Sequence, residues 1–201
     1  MVLKHIWGLF VNPKREWVSI RDDECTLGKC YAVHVMILAA IPAISGFIGT
    51  TQFGWQIGAG DPVKLTLESA GMISILYYFA MLVGVFAIGW MIHWMGGTYN
   101  VDVPLSQCVV LAAYTATPLF LIGIMELYPV LWVNLVVGIV ALAYTVYLLY
   151  TGVPVMMEIS EDRGFLFSSA VLAVGLVAFV ALLAVTAILW GMGLEPQFTT
   201  S

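Results

Sequence analysis

Charged residues are scarce in this sequence. Only 9% of its 201 positions are Asp, Glu, Lys or Arg, whereas 62% are hydrophobic; a typical soluble domain has about 25% charged residues. A water-soluble globule of this length has too little polar surface to cover so many apolar side chains, so an all-α membrane protein is predicted. The net charge of −5 comes without a Lys- or Arg-rich face, which excludes nucleic acid as a partner.

Cysteine is also sparse. The three residues Cys25, Cys30 and Cys108 are too few for a disulfide framework. The first two lie in a segment that we assign to the reducing side of the membrane, so free thiols are expected. A secretory signal is lacking as well, because the apolar stretch at the amino terminus is short and is broken at Asn12-Pro13.

Five apolar runs are long enough to cross a bilayer, which takes about 20 mostly apolar residues. The predicted spans are Tyr31–Thr50, Ser69–Met95, Leu105–Met125, Pro129–Tyr150 and Phe167–Met192. Residues 31–192 therefore form a predicted domain of five transmembrane helices, preceded by a surface segment, 1–30, and followed by a short tail, 193–201. Ser168 and Ser169 are interpreted as caps at the start of the last helix.

The distribution of basic residues predicts the orientation. Lys and Arg near span ends favour the cytoplasmic side. Five of them precede the first span and Arg163 lies between the fourth and fifth, whereas Lys64 alone lies on the other side. We therefore expect a cytoplasmic amino terminus and a periplasmic carboxy terminus.

The segment 1–30 mixes tryptophan and aliphatic residues with basic ones. Such a composition is typical of a segment that lies in the headgroup layer with its basic side chains toward anionic lipid. The lipid bilayer and anionic lipid headgroups are thus its expected partners. The glycine-rich loop between the first and second spans is predicted to hold a short hairpin or to skim the membrane.

Polar residues interrupt the third span at "AAYTATPL". Pro118 removes one backbone donor, so a kink is predicted there and the carbonyl of Tyr114 loses its partner. The hydroxyls of Thr115 and Thr117 are candidate replacement donors. Two interpretations remain open: a kinked packing helix, or a hinge beside a cavity formed by Tyr114, Thr115, Thr117 and Pro118.

Several short motifs occur in order along the chain. "VNPKREWVSI" contains Pro13 and Trp17, "AAYTATPL" contains Tyr114 and Pro118, and "ELYPVLW" and "YLLYTGVPVMM" contain Tyr128, Pro129, Gly152 and Pro154. In their order and placement on five helices they resemble the Yip1 family, especially its bacterial inner-membrane branch.

That resemblance implies five helices and a cytoplasmic amino terminus, in agreement with the charge distribution. Eukaryotic members of the family resemble trafficking factors that bind small GTPases. This role is not carried over, because the chain lacks their long polar amino-terminal region. The resemblance thus implies a multi-pass protein of the bacterial inner (cytoplasmic) membrane and leaves its activity open.

Catalytic groups are not evident in the sequence. Nucleophilic catalysis needs a base within reach of the nucleophile, and no Gly-x-Ser-x-Gly elbow accompanies the three histidines. Paired carboxylates occur only in the hydrophilic runs "DDE" and "EISED", which we interpret as solvated. The chain is therefore predicted not to be an enzyme and to need no cofactor.

A metal site is a weaker hypothesis. Cys25, Cys30 and His34 lie within ten residues, and His93 is placed at a similar depth in the membrane. Thiolates with imidazole suit zinc or copper, although Cys-x4-Cys fits structural zinc sites only loosely. Interfacial histidines bonded to backbone or headgroups, with two ordinary thiols, are the preferred interpretation, and haem ligation by the His34 and His93 pair is weaker still.

Two functions remain. The first is a non-enzymatic organising or accessory factor for other membrane components, acting with a membrane-protein partner or as a homo-oligomer. Rows of small residues in the first, third and fifth helices permit close helix approach within or between chains. The alternative is a carrier or conduit for a small molecule, lipid or metal ion along the kinked third helix.

Overall fold

The computed structural model describes residues 4–23, 28, 31–55, 61–99, 101–192 and 196–199. Within these ranges five helices are long and apolar enough to cross a membrane, which confirms the predicted fold class. These five spans, numbered in chain order, are Tyr31–Phe53, Leu67–Thr98, Leu105–Leu127, Leu131–Met156 and Glu161–Gly191. Two short helices, α1 (Lys4–Val11) and α2 (Pro13–Asp22), precede them and form the amino-terminal hairpin.

Span boundaries differ from the predicted ones where charged residues lie at helix ends. The fifth span begins at Glu161 rather than Phe167, so Ser168 and Ser169 lie inside the helix and the cap interpretation was wrong. Ser169 instead donates to the carbonyl of Phe165, at 2.8 Å. A carboxylate at the first turn complements the helix dipole and extends the helix beyond the apolar run.

The third span lies at the centre of the bundle. Every residue from Cys108 to Thr115 is buried, and two thirds of its most apolar window is buried, against 6% for the second span. The first, second and fourth spans pack around it, and the fifth packs mainly on the fourth. Polar groups on the third span therefore face protein.

The first and third spans approach closely through glycine. A Cβ atom at Gly123 would lie 2.9 Å from Cα of Pro42, and one at Gly46 would lie 2.7 Å from Oε2 of Glu126. These distances are shorter than ordinary van der Waals contact, so no larger residue fits without movement. On the side of the second span, Tyr77 donates to Oε1 of Glu126 at 3.3 Å.

The amino-terminal hairpin packs against the fourth span. Leu9, Trp17 and Ile20 are buried, and the hydroxyl of Tyr144 donates to the carbonyl of Leu9 at 2.8 Å. The opposite side of the hairpin exposes Trp7 and other apolar residues. Its apolar residues are thus divided between a face that contacts protein and a face that remains for lipid.

The loop between the first and second spans and the carboxy-terminal tail meet at the other end of the bundle, here called the tail end. Trp55 and Val63 form an antiparallel bridge with two backbone hydrogen bonds of 2.7 and 2.9 Å. Leu65 pairs with Phe198, and the amide of Thr199 donates to the carbonyl of Lys64 at 2.9 Å. The hairpin and the tail therefore lie at opposite ends of the bundle.

Candidate functional site

The third span is broken at its middle. Its first part ends at Thr115, Ala116 has φ −76° and ψ −8°, and a second helical segment runs from Thr117 to Ile122. Pro118 lies in the first turn of that segment, where its missing amide costs least. The hydroxyl of Thr117 donates to the carbonyl of Ala113 at 3.4 Å. The sequence suggested the carbonyl of Tyr114 as its acceptor.

A buried histidine binds the residues at this break. Nε2 of His34 lies 2.9 Å from the hydroxyl of Thr117, and the two rings of His34 and Tyr114 are 4.2 Å apart at their centroids. The Thr117 hydroxyl thus lies between Nε2 of His34 and the carbonyl of Ala113. Nδ1 of His34 is buried without a hydrogen-bond partner in the described part of the chain.

A second histidine holds the hairpin closed. Nδ1 of His5 lies 2.5 Å from Oε1 of Glu16, and Nε2 lies 3.1 Å from Oδ2 of Asp23. Carboxylate oxygens accept hydrogen bonds, so each ring nitrogen of His5 faces an acceptor, one on α2 and one just after it. The ring edge of His5 also meets Tyr114, at 6.0 Å between centroids.

Tyr114 thereby connects the hairpin to the break. One side of its ring meets His5 of α1 and another meets His34 of the first span. Sequence reasoning selected Tyr114 but missed His5, Glu16 and Asp23. The run "DDE" was interpreted as solvated, yet Asp23 bonds His5 although its side chain is 53% exposed. No spacing signal marks these partners, since they meet only when α1 and α2 fold together.

Two motif residues also meet in space. Trp17 is fully buried, and a Cβ atom at Gly152 would lie 2.6 Å from Cε2 of its indole and 2.9 Å from Cδ1 of Leu111. The missing side chain of Gly152 therefore admits the indole between the third and fourth spans. Pro13 begins α2 behind the cap Asn12.

The other motif residues lie elsewhere. Tyr128 and Pro129 line a cleft of about 110 Å³ at the tail end of the bundle, together with Phe53. Pro154, near the end of the fourth span, contacts Gly164 of the fifth. These residues shape two turns of the chain and do not join the cluster around Tyr114.

A second cleft, of about 220 Å³, lies at the hairpin end of the bundle. Its lining includes Asp102, Glu158 and Arg163. Arg163 donates to the carbonyl of Tyr99 at 2.7 Å. Glu158 has φ +52°, because it occupies the left-handed position that follows the fourth span and that glycine usually fills. Pro118 lines neither this cleft nor the cleft beside Tyr128 and Pro129.

The candidate metal ligands have separate surroundings. His34 binds Thr117, whereas Nδ1 of His93 donates to the carbonyl of Val103 at 2.9 Å. Cys25 and Cys30 lie outside the described residues. Within the described ranges no three His, Cys, Asp or Glu side chains come together as metal ligands. The metal site stays a prediction.

Six buried side-chain atoms have no hydrogen-bond partner in the part of the chain that the structure describes. They are Trp17 Nε1, His34 Nδ1, Thr115 Oγ1, Asn134 Oδ1, Thr145 Oγ1 and Ser168 Oγ. An unpaired buried polar group costs about 1–3 kcal/mol, so six would together cost about as much as the 5–15 kcal/mol by which a domain is stable. Such groups call for partners from outside the side-chain network, such as water or a polar solute.

Helix geometry places two of these atoms on one face of the fourth span. Asn134 precedes Thr145 by 11 residues and Gly152 by 18. At about 100° per residue, these three positions fall within about 20° of one another around the helix. Gly152 faces Trp17 and Leu111 of the third span, so Asn134 and Thr145 face the third span as well.

Thr115 and Trp17 belong to the same helix contact. Thr115 follows Leu111 by one helical turn and so also faces the fourth span. The indole of Trp17 is wedged between Leu111 and Gly152. The polar side chains of Trp17, Thr115, Thr145 and Asn134 thus follow the contact between the third and fourth spans, and this row is called the polar seam.

The seam hydroxyls differ from other hydroxyls in the spans. Thr50, Thr151 and Thr186 each donate to the carbonyl four residues earlier, at 2.7, 3.0 and 2.9 Å. Such a bond satisfies a hydroxyl within its own helix. Thr115 and Thr145 make no such bond in the described structure, so their hydroxyls remain available to another molecule.

Five apolar spans, of which the central one is broken, define a multi-pass integral membrane protein. The model of the Yip1 domain matches residues 7–182, and the chain belongs to the Yip1 family. This confirms the resemblance that the sequence motifs indicated.

Two relatives of the chain are named as inner membrane proteins. The chain is 46% identical over 191 residues to the inner membrane protein YohC of Escherichia coli strain K12, an alignment that covers 95% of this chain and 98% of the relative. The same values hold for the inner membrane protein YohC of Escherichia coli O6:H1 strain CFT073. No solved structure matches the chain. The protein is therefore a multi-pass protein of the inner membrane, as predicted.

Proposed function

We propose that this protein is a non-enzymatic organising or accessory factor for other components of the inner membrane, and that its fifth span is the docking element. The observation that carries the proposal is the isolation of that span. From Leu176 to Ile188 every described side chain of the fifth span is exposed. A helix that buries so little within its own chain has most of its surface left for lipid or for another helix.

The composition of the fifth span favours a helix partner. Ala178, Ala181 and Ala184 recur every three residues in the exposed part. Small residues let two backbones approach closely, and membrane helices associate chiefly through such packing. A row of alanines on an exposed helix thus supports lateral association with a helix of another membrane protein or of a second copy.

The partners of the histidines support a non-enzymatic role. His5 is bonded to two carboxylates, His34 to Thr117, and His93 to a backbone carbonyl. Each ring is thus held in a structural bond, whereas a general base needs a ring nitrogen directed at a substrate. The comparisons name only a membrane domain and inner-membrane relatives.

The proposed orientation keeps the hairpin in the cytoplasm. Arg15 and Arg21 of α2 and Arg163 lie at the same end of the bundle as the hairpin, whereas Lys64 lies at the end where the tail pairs. An excess of basic residues favours the cytoplasmic side. The exposed side of the hairpin then faces the anionic headgroups of the inner leaflet.

Photo-crosslinking in native membranes tests the proposal. A photoreactive residue is placed at Val177, which is 69% exposed on the fifth span, and in a second protein at Val140, which is 65% exposed on the fourth. We expect a discrete protein adduct from position 177 and only lipid adducts from position 140. Ala181→Leu should abolish the adduct by blocking close helix approach.

The matched pair of positions makes the result decisive. Both side chains face lipid to the same extent, so general membrane crowding would label them equally. Equal labelling, or no protein adduct from position 177, contradicts the organising role.

A further inference from the structure

We propose that the polar seam binds small uncharged molecules that carry hydroxyl groups, with glycerol as the representative ligand. The inference goes beyond the organising role and does not depend on it. It rests on unpartnered hydrogen-bonding atoms of Trp17, Thr115, Thr145 and Asn134 along one helix contact.

Burial distinguishes these atoms from surface polar groups. Trp17 is 0% exposed and Thr115 is 8% exposed, yet neither the indole N–H nor the Thr115 hydroxyl has a partner in the described structure. Buried polar groups in proteins are almost always hydrogen-bonded. Two side chains this deeply buried therefore mark a place where a polar molecule supplies the missing bonds.

The chemistry of the four atoms defines the ligand. The indole N–H of Trp17 donates, Oδ1 of Asn134 accepts, and the hydroxyls of Thr115 and Thr145 do both. A hydroxyl group also donates and accepts, so it satisfies any of the four. A molecule with several hydroxyl groups therefore matches the hydrogen-bonding chemistry of the seam.

The seam itself contains no ionisable side chain. The fourth span contains no Asp, Glu, Lys, Arg or His, and Glu126 of the third span faces the first and second spans. Beside Trp17, Glu16 is already bonded to His5. A charged ligand at the seam would be desolvated without a free counter-charge, which is costly in a buried site. The seam thus favours molecules that are polar but neutral.

The position of the seam gives it a route of access. The distance along the fourth span from Gly152 to Asn134 is 18 residues, about 27 Å at 1.5 Å per residue. Asn134 lies one turn after Val130, which lines the cleft at the tail end of the bundle. The helix break at Ala116 immediately follows Thr115, so the third span has no continuous backbone ladder to resist local opening there.

Titration of the purified full-length protein with glycerol, followed by ¹⁵N NMR of indole N–H groups, tests the proposal. Trp17→Phe assigns the Trp17 signal by its loss. We expect that signal to shift saturably with glycerol, whereas the exposed Trp190 shifts linearly or not at all. Thr115→Val and Thr145→Val, which keep side-chain volume and remove a hydroxyl, should each raise the apparent Kd about three- to tenfold.

Thr186→Val is the matched control, because Thr186 is exposed and bonded within its own helix. It should leave the glycerol titration unchanged, and Thr145→Ser, which retains the hydroxyl, should restore it. A Trp17 signal that follows Trp190 shows a bulk solvent effect and overturns the proposal. A signal that exchanges with water but ignores glycerol also overturns it, since water alone then fills the seam. The titration of the unaltered protein decides the question if a variant does not fold.

Discussion

His5 illustrates how a single residue sets the position of the amino-terminal hairpin. Its two ring nitrogens face Glu16 of α2 and Asp23, the residue after α2, and its ring edge faces Tyr114 of the bundle. One side chain thus closes the hairpin and docks it. Removing a hydrogen-bond partner from a partly buried carboxylate is costly, because the carboxylate is left desolvated without its bond.

His5→Gln should therefore loosen the hairpin. We expect the free energy of local opening to fall by about 1–3 kcal/mol, which corresponds to about 5- to 150-fold faster tryptic cleavage after Arg15 and Arg21 when opening is in equilibrium. The measurement is the cleavage rate in detergent, followed by mass spectrometry of the released peptides.

Lys14→Gln serves as the control for His5→Gln. Lys14 pairs with Glu161 at 3.7 Å, and the two side chains are 73% and 87% exposed. Exposed pairs contribute about 0–1 kcal/mol, so this change should leave cleavage after Arg15 and Arg21 nearly unaltered. Equal acceleration in both variants would show that the bonds of His5 hold the hairpin no more firmly than an exposed ion pair does.

Sequence reasoning identified some of these residues and missed others for a physical reason. Trp17 and Gly152 were selected from the family motifs, and the structure brings them into contact. His5 and Glu16 were missed because their contact depends on the angle between two helices, and no periodic pattern within one helix encodes that angle. Composition alone could not show that part of "DDE" is paired.

The third span is the element on which the interior depends. The break at Ala116 interrupts the helical hydrogen bonds of this span. His34 of the first span and His5 of the hairpin both pack beside the break. The kink was predicted from Pro118, because a proline in an apolar run removes one ladder hydrogen bond whatever its surroundings. Which hydroxyls respond to the break could not be predicted, since that depends on neighbouring helices.

Pro118→Ala should straighten the third span. The restored amide can donate to the carbonyl of Tyr114, four residues earlier, which continues the helical ladder across Ala116. Spin labels at Ser106 and Ile124 should then move toward the separation of about 27 Å along the axis that 18 residues of straight helix span. Double electron–electron resonance measures this distance.

An unchanged distance distribution in Pro118→Ala would show that packing against Pro42 and His34, rather than the proline, bends the helix. Leu119→Ala is the comparison, because Leu119 is exposed and its amide already bonds to Ala116 at 3.1 Å. It should leave the distance unaltered.

The spans themselves were predictable from the apolar runs, because bilayer thickness fixes the length of a crossing helix. The residues at which the spans end were harder to predict. The second span continues through Trp94 to Thr98, and the fifth starts at Glu161. Residues at such ends lie beyond the hydrocarbon core, where polar groups no longer oppose helix extension.

The whole molecule is an asymmetric bundle. The hairpin packs at the end where the fourth span joins the fifth, and the tail pairs with the loop between the first and second spans at the opposite end. An odd number of spans requires this separation of the chain ends across the membrane.

Labelling of single cysteines from either side of the membrane tests this arrangement most directly. In a variant without the native cysteines, one cysteine is placed at Lys14 and, in a second protein, at Thr199. We predict that a membrane-impermeant maleimide added to intact spheroplasts labels position 199 alone, and that position 14 reacts only after the membrane is opened. Labelling of both positions from the same side would contradict the five-span account.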